Sequence, residues 1–429
     1  MTEGKINMVN HFNKSKSQKK IVVAMDSFKG SLTSLEAGNA VRDGILEQYP
    51  DFDVQIFPVA DGGEGTVEAL TFGKEHVQTR TISVTGPVGT EVSAGYTIYE
   101  QAGEKTAVLE MAQAAGLPLV PEERRNPMHT TTYGVGEMIR DAITCGCRKF
   151  ILGIGGSATN DAGIGMLQAL GYHFLDATGR EVDYGAEGLA QVRSITTEDV
   201  MPELASCTFQ IACDVTNPLV GVQGCSAVFA PQKGADAKMV QEMDAAMNRY
   251  ADIVEDMYRK DPSLMENQLN GYDESGKNIN KNDRQRHDKN RMTPGVGAAG
   301  GLGYACLMFL HAALKPGIDI VLDEIQIAQA INTADAVITG EGRFDAQTLM
   351  GKTPIGVARI AKLYSVPAYE FAGCFGADVQ VCIDSGVFAG CYAASVTSTE
   401  EEKRLAMEKK QAYANLKACV KTYFFEENN

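Results

Sequence analysis

Residues 21–34 read IVVAMDSFKGSLTS, and the order of chemistry along that stretch decides the fold. The apolar run Ile21 to Met25 reads as a buried strand, and an acid, a hydroxyl, a cation and a glycine follow it at once. A helical pattern then runs from Ser34 to Glu47, with serine as its opening cap. The same alternation recurs. Val54 to Ala60 reads as a strand and a helix follows from Glu64. Near the C-terminus Ala336 to Thr339, Pro367 to Phe371 and Val387 to Ala393 read as strands, with helical stretches from Pro354, Asp378 and Glu400. Strands alternating with helices predict a parallel, Rossmann-like α/β layer.

The middle of the chain has another rhythm. Val77 to Val84 and Val92 to Glu100 flank a T-G-P-V-G-T turn and predict an antiparallel pair. Tyr172 to Leu175 and Glu181 to Tyr184 flank D-A-T-G and predict a second hairpin. Helices are expected over Thr131 to Cys145 and Asn160 to Leu170. The expected organisation is therefore a discontinuous Rossmann-like α/β domain, residues 1–74 and 293–429, carrying an inserted mixed α/β domain, residues 75–292. Asp261 to Arg291 is rich in Asn, Asp, Lys and Arg and is expected to be a solvated loop.

Composition narrows the function. The 429 residues carry a formal net charge of −16, which disfavours nucleic acid and anionic lipid as partners. No stretch reaches the ~18 consecutive apolar residues that span a bilayer, and the polar residues through Lys19 lack the apolar core of a secretory signal. The ten cysteines fall mostly in apolar segments without a metal-ligand spacing, so reduced thiols of a cytoplasmic protein are expected.

The 44 glycines cluster beside acids and hydroxyls. Such clusters occur at Asp26–Gly30, Asp61–Thr66, Gly153–Asp161, Pro294–Gly301 and Thr339–Asp345, mostly where an apolar run ends. In open α/β sheets ligands bind beyond the carboxyl ends of strands, so these clusters predict a shared site. Gly153–Ala158 matches the G-x-G-x-x-A dinucleotide fingerprint. That makes a nicotinamide-dependent dehydrogenase of small hydroxy acids the alternative reading. Asn160 and Asp161 argue against it, because a carboxylate in the first turn of the following helix repels a pyrophosphate. Gly351-Lys352-Thr353 lacks the earlier glycine of a P-loop, since Ala346 stands there. Phosphoryl transfer needs phosphate cradles, carboxylates for a metal, a cation and a base. The glycine runs, the acids Asp26, Asp61, Asp161, Asp214, Glu341 and Asp345, and the cations Lys29 and Arg343 offer each of these.

These residues lie in motifs that closely resemble the glycerate kinase type 1 family. They are DSFKGSL at Asp26–Leu32, VADGGEGT at Val59–Thr66, GIGGSATND at Gly153–Asp161, ACDVTNPL at Ala212–Leu219, PQKGA at Pro231–Ala235, GAAGGLG at Gly297–Gly303 and ITGEGRFD at Ile338–Asp345. Met25 departs from the proline common before the first motif. The resemblance implies an ATP- and Mg²⁺-dependent transferase that phosphorylates D-glycerate in a cleft between two α/β domains. On that reading Lys29, Arg343 and either Asp214 or Asp345 carry the chemistry, and Asp161 and Glu341 hold metal. Substrate and nucleotide are expected on Asp26, Ser27, Asp61, Gly62, Gly63, Gly155, Gly156, Ser157, Thr159, Asn160, Asn217, Gly300, Gly301 and Gly340.

Overall fold

The computed structural model describes residues 18–63, 65–260, 290–397 and 399–426. The expected tail ahead of the first strand and the expected loop over Asp261–Arg291 lie almost wholly outside those residues. In chain order the strands begin with β1 (Lys20–Met25), β2 (Asp53–Ile56), β3 (Glu75–Thr85), β4 (Glu91–Gln101), β5 (Glu104–Glu110), β6 (Lys149–Gly153), β7 (His173–Leu175) and β8 (Ser194–Thr196). They continue with β9 (Thr208–Ala212), β10 (Ala313–Lys315), β11 (Ala336–Gly340), β12 (Arg343–Phe344), β13 (Ala368–Ala372), β14 (Cys374–Phe375) and β15 (Gly390–Ala393).

Two compact α/β units result. One runs to Phe72 and resumes at Pro316; the other is Gly73–Lys315. Residues 293–315, expected in the Rossmann-like domain, therefore belong to the second unit. The helix Ala298–Phe309 is apolar along almost its whole length, and β10 pairs with β9, so both join the second unit's core.

The first unit holds a five-stranded parallel sheet in the order β15-β13-β11-β1-β2. β1 and β11 are apolar and buried because helices cover both faces of a parallel sheet. Ile21, Val23, Met25, Ile338 and Phe371 meet Leu416 and Val420 of the helix Lys409–Glu426. The chain passes from β1 to β2 on one side and returns as β11 on the other, so a topological switch point lies between β1 and β11. Met25 stands opposite Gly340 there. The helix Ser34–Leu46 is capped by Thr33 in a capping box with Glu36, not by a serine. Ser34 instead donates to the Met25 carbonyl at 2.6 Å and accepts from the Val59 amide at 2.9 Å, tying together the exits of β1 and β2.

The second unit is built on a six-stranded mixed sheet in the order β10-β9-β6-β5-β4-β3. β3, β4 and β5 form an antiparallel meander, and β6, β9 and β10 add in parallel. The expected hairpin over residues 172–184 is replaced by a β7–β8 pair, and Glu181 makes a single bridge to Leu175. The helix expected from Asn160 begins only at Ile164, because Asp161 to Gly163 form the turn ahead of it.

Candidate active site

Asp26 and Glu341 leave the carboxyl ends of the neighbouring strands β1 and β11, and the Asp26 amide donates to the Gly340 carbonyl at 2.8 Å. Asp61 follows β2, which runs parallel to β1, so it too lies beyond a carboxyl strand end. Together with Ser27, Lys29, Arg343 and Lys352 these acids line a cavity of about 390 Å³ in the first unit, walled elsewhere by Phe28, Ala394, Ala406 and Met407.

The carboxylates differ in their restraint. Asp26 Oδ1 accepts from the Ser27 amide at 2.6 Å and Oδ2 from Thr353 Oγ1 at 2.7 Å. Burial nevertheless pushes the Asp26 carboxyl up to about 6, helped by the negative charges of Asp61 and Glu341. Asp61 Oδ1 accepts from the Gly63 amide at 3.2 Å across Gly62, whose φ of 100° only glycine holds easily. Glu341 is buried; it accepts from the Thr348 hydroxyl and faces Lys352 Nζ at 3.4 Å. Burial raises its carboxyl as well.

The ITGEGRFD motif at Ile338–Asp345 divides its residues. Arg343 is largely exposed, with Nε 3.2 Å from Asp345 Oδ2. Asp345 Oδ1 accepts from the Gln347 amide at 3.1 Å and caps the short turn Ala346–Met350, while Oδ2 is the oxygen beside Arg343. A Cβ on Gly340 would lie 2.1 Å from the Phe371 carbonyl, so that glycine serves strand packing rather than ligand contact.

One acid here was missed in the sequence. Glu370 lies in the middle of β13, is fully buried, and neither carboxyl oxygen has a hydrogen-bond partner among the described residues. Burial first, and then the negative charges of Glu341 and Asp26, hold its carboxyl well above the usual range. Its only sequence signal is a lone acid inside the apolar run Ala368–Ala372.

In the second unit the Gly153–Asp161 motif follows β6. Gly155 and Gly156 are exposed, Ser157 is nearly buried, and Thr159, Asn160 and Asp161 are completely buried. Asp161 is engaged on both oxygens: Oδ2 accepts from the Thr132 amide and hydroxyl, each at 2.8 Å, and Oδ1 from the Gly163 amide at 3.1 Å. It braces the turn and does not fit the metal-ligand role expected of it. Asn160 donates inward to Ser226 Oγ at 3.0 Å, and its Oδ1 is buried without a partner among the described residues. Gly300 and Gly301 are buried too; a Cβ on Gly300 would meet the Thr159 carbonyl at 2.1 Å. They pack the helix Ala298–Phe309 against the Thr159–Ala162 turn. Asn217 holds the Gln223 carbonyl at 2.8 Å, while Asp214 is exposed beyond the end of β9. Lys233, outside the expected set, is buried with Nζ 2.7 Å from both Ser157 Oγ and the Thr159 carbonyl.

A parallel sheet whose strand ends gather acids, hydroxyls and cations about a cavity is the frame of an α/β phosphotransferase. The chain belongs to the glycerate kinase family, whose model matches residues 21–424, and as such it transfers a phosphoryl group to an alcohol. It is 44% identical over 372 residues to a glycerate kinase of Haemophilus influenzae, covering 86% of this chain and 90% of that protein. A glycerate 2-kinase of Escherichia coli K12 is 42% identical over 370 residues, covering 86% and 89%. A crystal structure of a Salmonella typhimurium LT2 protein, provisionally called glycerate kinase 2, matches with a TM-score of 0.76 at 39% identity, covering 94% of this chain and 99% of that one. The dehydrogenase alternative is thereby set aside. No helix among the described residues is long and apolar enough to cross a membrane.

Proposed function

We propose that this chain is a type 1 glycerate kinase of the cytoplasm, phosphorylating D-glycerate at the expense of ATP and forming 2-phosphoglycerate rather than 3-phosphoglycerate. The observation that carries this is the set of Asp26, Asp61 and Glu341 with Lys29, Arg343 and Lys352 around one cavity. Acids and cations brought to one wall suit a reaction that moves a highly charged group between oxygens. The relative named a glycerate 2-kinase favours the 2-phospho product.

The residues fit a magnesium ion. Their donors are carboxylate oxygens, which suit a hard cation, and Ser27 Oγ is buried at this wall without a partner among the described residues. Among those residues no three acidic, histidine or cysteine side chains form a ready-made cage. One or two of Asp26, Asp61 and Glu341 would therefore hold the ion, with water and phosphate oxygens completing its shell. The ion would supply charge neutralisation on the phosphates.

The protein's own part follows from its geometry. Lys29 and Lys352 offer ammonium groups to phosphate oxygens, and Arg343 offers a fork matched to a carboxylate. Asp26 is the better base for the attacking hydroxyl, because its carboxyl near 6 ionises at working pH while still accepting a proton. Asp214 remains a second candidate.

The test is ADP release with D-glycerate beside L-glycerate and related hydroxy acids, followed by NMR of the product. Turnover confined to D-glycerate with the phosphate on C2 is expected. A phosphate on C3 would overturn the regiochemistry, and no ADP release with D-glycerate would overturn the substrate.

A further inference from the structure

Lys233 is an unusual residue to find inside a protein. Its side chain is among the largest wholly buried ones, and it ends the short turn Pro231–Lys233. Removing an ammonium from water costs several kcal/mol unless an opposite charge meets it. No carboxylate contacts Lys233 among the described residues, and Asp161, the acid whose charge acts on it, has both oxygens committed to Thr132 and Gly163. The ammonium rests on two neutral acceptors, Ser157 Oγ and the Thr159 carbonyl. Neutral donors could hold the loop more cheaply, so the charge calls for another explanation.

The Ser157 hydroxyl supplies one. An oxygen that accepts from an ammonium has its own proton left to give, and the positive charge behind it makes that proton a stronger donor. Next to it Gly155 and Gly156 are exposed. A Cβ built on Gly155 meets no atom within 4 Å, so the space beside its backbone is open.

Resting on the proposed glycerate kinase reading, we propose that Lys233 is a positioning residue that presents the Ser157 hydroxyl, beside the Gly155–Gly156 backbone, as a donor site for an anionic oxygen. That oxygen belongs either to the carboxylate of the hydroxy acid or to a phosphate of the nucleotide. Lys233 does not touch it and acts through Ser157.

Steady-state ADP release by the full-length protein decides the matter, with each substrate varied while the other saturates. Ser157→Ala and Lys233→Met are each expected to raise the KM of the same substrate by about ten-fold or more. Whether D-glycerate or ATP is affected identifies the source of the oxygen. The double variant should be no worse than the worse single one, because Lys233 works through the hydroxyl. Gly155→Ala, whose methyl meets no protein atom, should melt like the wild type and raise that same KM. The proposal falls if Ser157→Ala leaves both KM values within about two-fold of wild type, or if the two single effects multiply. If Lys233→Met does not fold, Ser157→Ala and Gly155→Ala still decide, and two unchanged KM values overturn it. A wild type that releases no ADP with D-glycerate overturns the proposed substrate instead. Calorimetry with inorganic phosphate then tests the donor site alone, and equal binding by wild type and Ser157→Ala overturns it.

Discussion

Thr353 Oγ1 donates to Asp26 Oδ2 at 2.7 Å, joining the first residue beyond β1 to the start of the helix Thr353–Leu363 across 327 positions of sequence. The bond sets how acidic Asp26 is. Burial raises the Asp26 carboxyl to about 6, and the Thr353 hydroxyl is the strongest influence pulling it down. Thr353→Val keeps the shape and removes the donor, so the Asp26 carboxyl should rise further. The acid limb of the kcat/KM profile should then move to higher pH, and activity at pH 6 should fall more than activity at pH 8. An acid limb that stays in place would remove Asp26 as the titrating group.

The same carboxyl affects stability. Its folded value of about 6 lies above the ordinary 3.8, so the native state holds this proton more tightly than the unfolded chain. Stability from this group is therefore full at the acid end and is lost as pH rises through about 6. By pH 7.5 the ionised, crowded carboxylate costs about 1–3 kcal/mol. Asp26→Asn abolishes that charge. In metal-free buffer the variant should melt above wild type at pH 7.5 and level with it near pH 4, while turnover falls by about a hundred-fold or more. Melting below wild type at pH 7.5 would show that ionised Asp26 is stabilising.

Glu370 behaves similarly without facing the cavity. Its carboxyl is raised by burial first and by Glu341 and Asp26 after that. The native state keeps the proton that the unfolded chain releases, so stability declines as pH climbs from the ordinary glutamate range. Glu370→Gln offers the same shape with no charge to release. Its melting temperature should stay close to wild type at pH 5 and move above it progressively towards pH 9. A deficit of equal size at every pH would mean that Glu370 has a partner that only a carboxyl satisfies.

The sequence was most informative where one physical cause produces one pattern. β1 and β11 are legible because strands buried on both faces must be apolar throughout, and the acids that follow them fall at strand ends by the same logic. Glu370 was illegible because its meaning comes from cross-strand register: Thr339 on β11 stands opposite it, and the next residues of that strand lead to Glu341. The buried cluster Thr159, Asn160, Asp161, Gly300 and Gly301 shows the converse limit. Small polar residues and glycines bind ligands and also let two backbones touch, and only the 2.1 Å approach to the Thr159 carbonyl separates these uses. The misplacement of residues 293–315 has a related cause, since an apolar helix does not announce which sheet it will cover.

The two aspartates of the second unit should part company on mutation. Asp161 is wholly buried and accepts three hydrogen bonds, two from Thr132 and one from Gly163. Asparagine can present only one oxygen, so Asp161→Asn turns an NH₂ group towards a donor whichever way the amide lies. A loss of about 1–3 kcal/mol follows, seen as a lower midpoint in urea. Asp214 is exposed beyond β9, where the same substitution should lower that midpoint by less than Asp161→Asn does. If Asp214 takes part in the reaction, Asp214→Asn lowers kcat by more than its smaller structural cost explains, and wild-type turnover would remove it from the mechanism. Equal destabilisation of the two variants would contradict the division between a buried brace and an exposed acid.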